Sequence, residues 1–255
     1  MISNFYDDNS FDYTRYWEER EYEHFSERIA LERLIEYIPQ EYRNSIIDVG
    51  AGFGRLTKIY APYFKRCYLI DPSTRLISLA KKRLYRFKKI KFKKGRGEKI
   101  PYKKKRFNVA LMVRVSHHLK FLSKALNEIS RVLPPGGYFI FEYPNKINFK
   151  AKTIGAASHK KPKEIFSQKP INLSSKKKGA IPFYNYHPNW VESLVENKAF
   201  EIISRLSVSN LRSSFLKKII PLKTLLFLER ILQSFLEKIN FGPSIFLLLR
   251  KKSDN

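Results

Sequence analysis

The sequence predicts an α/β protein with a doubly wound, mostly parallel sheet, and two observations predict this class. Between about residues 45 and 142, short apolar runs alternate with helical patterns, as is typical of parallel strands joined by helices. The first apolar run ends at an acid and leads into three glycines at alternate positions, Gly50, Gly52 and Gly54. A glycine-rich turn between a strand and a helix brings backbone N–H groups close to a bound ligand.

The elements of the predicted sheet follow one another along the first 142 residues. We expect strands at 45–49, 66–70, 90–94, 108–113 and 138–142, and helices at 55–60, 74–87 and 123–132. The third strand alternates lysines with apolar residues, which suits the edge of a sheet, where charge discourages pairing with other chains.

Asp71 is expected just beyond the second strand, roughly twenty residues after the glycines. An acid there can accept hydrogen bonds from both ribose hydroxyls of a nucleoside, and ligands of open α/β sheets bind at this edge. The dinucleotide fingerprint is not met, because Arg55 stands where its third glycine would be.

A helical leader, 1–44, precedes the sheet. Residues 13–38 have helical periodicity with one apolar stripe, and Pro39 ends the pattern. Aromatic and charged side chains cluster ahead of the stripe: Tyr13, Tyr16, Trp17, Arg20 and Tyr22. The leader is either a lid over the glycine turn or a helix packed on the sheet.

A lysine-rich insertion, 144–187, follows the fifth strand, and its length indicates function or disorder. The C-terminal part, 188–255, is expected to continue the same domain with a helix at 188–197, strands at 200–208 and 244–249, and an amphipathic helix at 222–239. The apolar stripe of that helix comprises Leu222, Leu225, Leu226, Leu228, Ile231, Leu232, Phe235, Leu236 and Ile239. Such a helix either lies on an anionic membrane surface or covers the sheet or a lipophilic pocket.

The chain is strongly basic, with 255 residues and a formal net charge of +27. This charge favours contact with RNA, anionic lipid or acidic partners, whereas the alternative is a lysine-rich solvated surface. Basic residues are densest in 81–106 and in 150–178.

Other sequence features bear on location and on metals. The sequence contains no run of about eighteen uncharged apolar residues, so no transmembrane helix is expected. Residues 1–10 are polar and acidic, unlike a secretory signal. Cys67 is the one cysteine, so neither an intrachain disulfide nor a cysteine metal cluster is expected, and no metal site is predicted. A cytoplasmic location is the expectation, with peripheral membrane contact as an option.

Four segments in order resemble motifs of the class I S-adenosylmethionine-dependent methyltransferases, in the methyltransferase type 11 group. They read DVGAGFG (48–54), LIDP (69–72), NVALMVRVSHHL (108–119) and RVLPPGG (131–137). Three further segments are similar to an uncharacterised bacterial subgroup: REYEH (20–24), EYPNK (142–146) and YNYHP (184–188).

The resemblance implies a Rossmann-like methyltransferase fold with seven strands, in which the last strand pairs antiparallel with 200–208. It implies S-adenosylmethionine as cofactor, bound by the core over 45–143. The implied cofactor-binding residues are Asp48, Gly50, Gly52, Phe53, Gly54, Asp71, Pro72, Gly97, Glu98, Arg114 and His118. One residue departs from the family: Arg96 stands where related sequences usually have an acid that meets the adenine amino group, and Glu98 is the candidate substitute.

Methyl transfer from a sulfonium needs positioning and exclusion of water, and it needs a base only if the acceptor must lose a proton. The candidate bases are His118, at the mouth of the cleft, and His187, in the insertion. For His118, a role in the cofactor shell is the alternative. The candidate acceptor-binding residues are Tyr22, Tyr143, Asn145, Lys146 and His187, and loop hydrogen bonds are the alternative.

The predicted function is methyl transfer to a small-molecule or lipid-like acceptor. An RNA methyltransferase is the alternative that the charge suggests, although no Asn/Asp-Pro-Pro-aromatic quartet follows the fourth strand. A non-catalytic cofactor-binding protein of the same fold is the alternative that Arg96 suggests.

Overall fold

The computed structural model describes residues 6–7, 12–157, 164, 166–174 and 181–253. Its strands are β1 (Ser45–Val49), β2 (Arg66–Asp71), β3 (Ile90–Lys94), β4 (Val109–Met112), β5 (Tyr138–Pro144), β6 (Ile171–Asn172), β7 (Tyr184–Asn185), β8 (Phe200–Val208) and β9 (Ser244–Lys251). Seven of them form one sheet in the order β3-β2-β1-β4-β5-β9-β8, and β6 pairs with β7.

The strands β1 to β5 run parallel, and β9 is antiparallel to both of its neighbours. The doubly wound fold and the antiparallel pairing of the last strand are therefore confirmed, and β3 lies at an edge. Strand order reverses between β1 and β4, so a crevice opens at their carboxyl ends, where ligands of such sheets bind.

Helices cover both faces of the sheet. They are α1 (Tyr13–Glu18), α2 (Glu21–Glu36), α3 (Thr57–Tyr60), α4 (Thr74–Arg83), α5 (Leu122–Val132), α6 (Phe149–Ala157), α7 (Pro188–Glu196), α8 (Ser214–Ile219) and α9 (Leu222–Phe235). On one face α5 and α7 bury their apolar residues against the strands. On the other face α2 and α3 do so, and α9 packs on α2 and β8.

In the described part of the leader, residues 13–36 form two helices, α1 and α2, so the helical pattern expected over 13–38 is interrupted. Asp12 caps α1 by accepting hydrogen bonds from two backbone N–H groups, and Arg20, with φ −124° and ψ 47°, separates α1 from α2. The break separates two buried aromatic residues: Trp17 packs with Phe53, whereas the hydroxyl of Tyr22 donates a hydrogen bond to Glu229 on α9.

The C-terminal helix α9 buries a narrower and more polar side than its apolar stripe predicts. Its buried residues are Leu225, Glu229 and Gln233. Several stripe residues face solvent instead: Leu228, Ile231, Phe235 and Ile239. The helix therefore covers the sheet with one side only, because buried polar contacts rather than the stripe set its orientation.

Part of the predicted leader and of the predicted insertion falls outside the described residues: 1–5, 8–11, 158–163, 165 and 175–180. In the described part, α6 and the β6–β7 pair belong to the insertion. Among the described residues, no helix is long and apolar enough to cross a membrane, and no group of three or more His, Cys, Asp or Glu side chains could hold a metal ion.

Candidate active site

The glycine turn after β1 needs its glycines. Gly50, Gly52 and Gly54 have φ of 78°, 55° and 74°, a region that favours glycine. A Cβ on Gly50 would lie 2.2 Å from Cγ2 of Val115, and one on Gly54 would lie 2.6 Å from Cδ1 of Leu84. The turn can therefore pack closely against Val115 and Leu84 because glycines stand at these alternate positions.

Asp71, at the end of β2, is oriented by two backbone groups. Its Oδ2 accepts a hydrogen bond from the N–H of Gly52 at 2.9 Å, and its Oδ1 accepts one from Ser73 at 2.8 Å. Burial raises the pKa of this carboxyl to about 6, so it is mainly ionised at neutral pH. Each carboxylate oxygen has a further lone pair with which to accept a ligand hydroxyl.

Asp48, the acid that precedes the glycines, lies behind the turn. It accepts a hydrogen bond from the hydroxyl of Tyr60 at 2.9 Å, and burial raises its pKa to about 7. It lines a small pocket that also includes Phe53, Arg55 and Arg114.

A cleft with about 680 Å³ of space between atoms, part of it open to solvent, lies at the carboxyl ends of the strands. It brings together eight of the predicted cofactor residues: Gly50, Gly52, Asp71, Pro72, Gly97, Glu98, Arg114 and His118. Asp48 and Phe53 line the adjoining pocket, and Gly54 lies in the turn. The lining of the cleft combines apolar residues with two acids, Asp71 and Glu98. This combination fits a nucleoside, because its ring is apolar and its hydroxyl and amino groups are donors.

Arg96 and Glu98 both line the cleft, in a turn that the hydrogen bond from the N–H of Lys99 to the carbonyl of Arg96 closes at 3.2 Å. Arg96 is exposed and Glu98 half-buried. The acid that this chain lacks at position 96 thus has a candidate substitute, Glu98, in the same cleft two residues further along.

His118 faces the cleft with a defined tautomer. Its Nδ1 lies 2.9 Å from the carbonyl oxygen of Pro182, which can only accept, so Nδ1 carries the proton. Its Nε2 then accepts a hydrogen bond from the hydroxyl of Tyr6 at 2.9 Å. Burial lowers the pKa of this imidazole, which keeps it neutral with a lone pair on Nε2.

A buried carboxylate that sequence reasoning missed holds two arginines at the cleft. Glu27, on α2, pairs through Oε2 with Arg55 at 2.5 Å and through Oε1 with Arg114 at 2.5 Å. Although burial opposes its ionisation, the two guanidinium groups lower the pKa of Glu27. The only sequence signal for this role is an acid on the inward side of an amphipathic helix, four residues before Leu31.

Arg114 is held at a second point. Its backbone has φ of 62°, and its N–H donates to Oε2 of the buried Glu142 at 2.8 Å. Arg114 is therefore bonded to two buried carboxyl groups, Glu27 through its guanidinium and Glu142 through its backbone.

The predicted acceptor residues do not line the cleft. Tyr22 is buried, and its hydroxyl donates to Glu229 at 2.6 Å. Tyr143 is buried in the core beside Phe141. Both tyrosines thus lie in the packed interior and not at the surface of the cleft.

Asn145, Lys146 and His187 hold loops together. The amide of Asn145 donates to the carbonyls of Asn240 and Gly242, both at 2.8 Å, and the ammonium of Lys146 donates to the carbonyl of Lys169 at 2.7 Å. His187 caps α7 by accepting from the N–H of Asn189 at 3.3 Å. These contacts match the loop alternative for all three residues.

Comparison with known proteins agrees with this geometry. Residues 47–141 match the family model of a methyltransferase domain. The chain is 32% identical over 104 residues to demethylmenaquinone methyltransferase of Tropheryma whipplei, covering 40% of this chain and 43% of that protein. It is 41% identical over 91 residues to phthiotriol/phenolphthiotriol dimycocerosates methyltransferase of Mycobacterium tuberculosis, covering 35% of this chain and 32% of that protein. The matches span less than half the length of these curated relatives.

The fold is similar to solved structures over nearly the whole chain. A S-adenosylmethionine-dependent methyltransferase of Thermotoga maritima, described as a possible histamine N-methyltransferase, superposes with a TM-score of 0.63 at 22% identity. The superposition covers 94% of this chain and 95% of that one. At this identity the likeness concerns the fold.

Proposed function

We propose that the chain, whose residues 47–141 match the family model of a methyltransferase domain, transfers a methyl group from S-adenosylmethionine to a small-molecule or lipid-like acceptor. The observation that carries the proposal is the cleft at the glycine turn, where Asp71 and Glu98 lie between apolar walls. The two carboxylates and the apolar walls of the cleft suit a nucleoside with a charged amino-acid tail.

Three groups of the chain would hold the cofactor. Asp71 would accept the ribose hydroxyls with the lone pairs that its two backbone N–H partners leave available. Glu98 would accept the adenine amino group in place of the acid expected at Arg96. The guanidinium of Arg114, which lines the cleft, would bind the carboxylate of the amino-acid tail.

When bound, S-adenosylmethionine supplies a methyl group activated on a sulfonium, and the departing sulfide needs no proton. The protein therefore has to align the acceptor and exclude water. Tyr6 and Tyr13 line the cleft from the leader side, where they exclude water. His118 would take a proton at Nε2 if the acceptor has one to lose and replaces the Tyr6 hydroxyl at that nitrogen. Burial lowers the pKa of the imidazole, which keeps Nε2 unprotonated at neutral pH.

Of the two classes of acceptor, the proposal favours a lipid-like one. Two relatives carry the names of methyltransferases for demethylmenaquinone and for phthiotriol dimycocerosates. Several residues that line the cleft are apolar or aromatic, among them Leu76, Val115 and Leu119. A cytoplasmic protein with peripheral membrane contact would suit such an acceptor.

Two alternatives have an observation in their favour. An RNA methyltransferase would use the three lysines of β3, Lys91, Lys93 and Lys94, which are all exposed at the sheet edge. A non-catalytic binding protein would follow if Arg96 weakened cofactor binding.

Transfer of a labelled methyl group distinguishes these functions. The purified chain is incubated with methyl-labelled S-adenosylmethionine and, separately, with total lipid, small-molecule and RNA fractions of bacterial cells. We expect label in the lipid or small-molecule fraction, and its loss with Asp71→Asn. Label confined to RNA would support the RNA alternative. No label anywhere, with weak binding of S-adenosylhomocysteine to the wild type that Arg96→Asp strengthens, would support the non-catalytic one.

A further inference from the structure

The helices α8 and α9 present large apolar side chains to solvent. Phe215 and Ile219 on α8 are 67% and 58% exposed, and Phe227, Ile231 and Phe235 on α9 are 65%, 55% and 77% exposed. We call these five residues the 215–235 face. Single exposed apolar residues are ordinary, but a contiguous stripe on one helix marks an interaction surface.

The three residues on α9 form such a stripe, because they follow one another at intervals of four. The buried residues of the same helix, Leu225 and Glu229, lie two positions earlier in each case, which is about 200° around the helix axis. The stripe therefore points away from the side on which α9 packs.

Buried polar bonds fix this orientation. Glu229 accepts hydrogen bonds from the hydroxyl of Tyr22 at 2.6 Å and from the N–H of Ser209 at 2.8 Å. Gln233 donates to the carbonyl of Ser26 at 2.9 Å. Rotating α9 to bury its aromatic stripe would break these bonds and leave a buried carboxylate without partners, which is costly. Exposure of the stripe is thus built into the fold.

Basic residues surround the face. The segment 212–239 contains Arg212, Lys217, Lys218, Lys223, Arg230 and Lys238. Its acids are Glu229, which is fully buried, and Glu237. An apolar stripe flanked by lysines and arginines is the pattern of a helix that lies in the interface of an anionic bilayer.

We propose that the 215–235 face docks on an anionic lipid bilayer, with α9 in the plane of the interface and its aromatic residues among the acyl chains. The charge favours lipid over a second copy of this chain, since two molecules of net charge +27 repel each other. The groove beside the stripe is lined by two arginines, Arg33 and Arg230, and one acid, Glu36, together with the exposed Tyr37.

Vesicle flotation tests this proposal without reference to methyl transfer. The intact chain is mixed with vesicles of phosphatidylcholine and phosphatidylglycerol, or of phosphatidylcholine alone, at low and high salt. We expect flotation with the anionic vesicles, weaker at high salt, and a loss of about tenfold in the bound fraction for the triple variant Phe227→Ser, Ile231→Ser, Phe235→Ser. A charge variant, Lys218→Glu with Lys223→Glu, should also bind less.

The matched control replaces two aromatic residues with similar exposure elsewhere, Tyr85 and Phe166, which are 65% and 51% exposed, by serine. It should float like the wild type. Equal flotation of wild type and triple variant, or none with anionic vesicles, would overturn the proposal. So would a wild-type dimer in sedimentation velocity that the triple variant abolishes. Binding of S-adenosylhomocysteine to the triple variant verifies that it is folded, so this proposal can fail while the proposed function stands.

Discussion

Asp48 and Asp71 are buried carboxylates at the ends of neighbouring strands, and their partners differ. Asp71 accepts from two backbone N–H groups, which lower its pKa, whereas Asp48 accepts from the hydroxyl of Tyr60. Burial raises the pKa of Asp71 to about 6 and that of Asp48 to about 7. At neutral pH Asp71 is consequently the more fully ionised of the two and the better hydrogen-bond acceptor. Asp48 changes its protonation near neutrality.

The first prediction concerns Asp48. Because its pKa is raised on folding, the stability that this carboxyl contributes is fully present below the unfolded pKa of about 3.9 and is lost as the pH rises through about 7. We expect Asp48→Asn, which does not titrate, to gain stability relative to the wild type between pH 5 and pH 8, by about 1 kcal/mol or more.

Urea unfolding of both proteins at the two pH values measures this difference. Glu201→Gln, at a half-buried position on β8 away from the cleft, is the control and should show the same difference from the wild type at both values. A relative stability of Asp48→Asn that stays constant or falls with pH would contradict the account of Asp48.

The helix α2 connects the cleft with the rest of the molecule. Glu27 lies near its middle and holds Arg55, which follows the glycine turn, and Arg114, which follows β4. The side chain of Glu27 is fully buried, and Arg55 also stacks on Trp17 of α1 at 3.5 Å. Both sides of the strand crevice are thus fixed to one helix through one carboxylate.

The second prediction follows from this buried cluster. Glu27→Gln removes the charge that compensates two largely buried guanidinium groups, so we expect a loss of about 3–5 kcal/mol in the free energy of unfolding. Glu32→Gln is the matched control on the same helix: Glu32 pairs with Arg28 at 2.9 Å on the surface, and its loss should cost about 0.5 kcal/mol or less. Denaturant titration gives both values. Similar small losses for the two variants would mean that Glu27 does not hold the arginines.

Some elements could be predicted to the residue. The strands at 45–49, 90–94 and 200–208 are short apolar or alternating runs bounded by polar residues or turns, and local pattern suffices for them. The break between α1 and α2 was not predictable, because the pattern continues through Arg20. Trp17 and Tyr22 instead pack against different distant partners, Phe53 and Glu229.

The orientation of α9 was not predictable for a related reason. Its most apolar stripe suggests the buried side, yet the buried side carries Glu229 and Gln233. Their partners, Tyr22, Ser26 and Ser209, lie far away in sequence. The periodicity of a sequence shows where apolar residues recur. It does not show a buried polar network between segments that are distant in the sequence.

The molecule as a whole assembles its cleft where strand order reverses. The predicted cofactor residues meet there because the glycine turn, Asp71 and Glu98 each follow a strand of the parallel sheet. The predicted acceptor residues do not meet there, because Asn145, Lys146 and His187 are taken up by local loop contacts. Motifs tied to strand ends could therefore be predicted, and side chains in the insertion could not.

Binding of the cofactor product is the decisive test of whether the cleft at the glycine turn holds S-adenosylmethionine. Titration calorimetry of S-adenosylhomocysteine into the wild type should give saturable one-to-one binding. Asp71→Asn should weaken it by about tenfold to a hundredfold, since hydrogen bonds to a charged group contribute about 1.5–3 kcal/mol. Glu201→Gln should bind like the wild type. No binding to the wild type, or equal affinity of the wild type and Asp71→Asn, would contradict the assignment of this cleft.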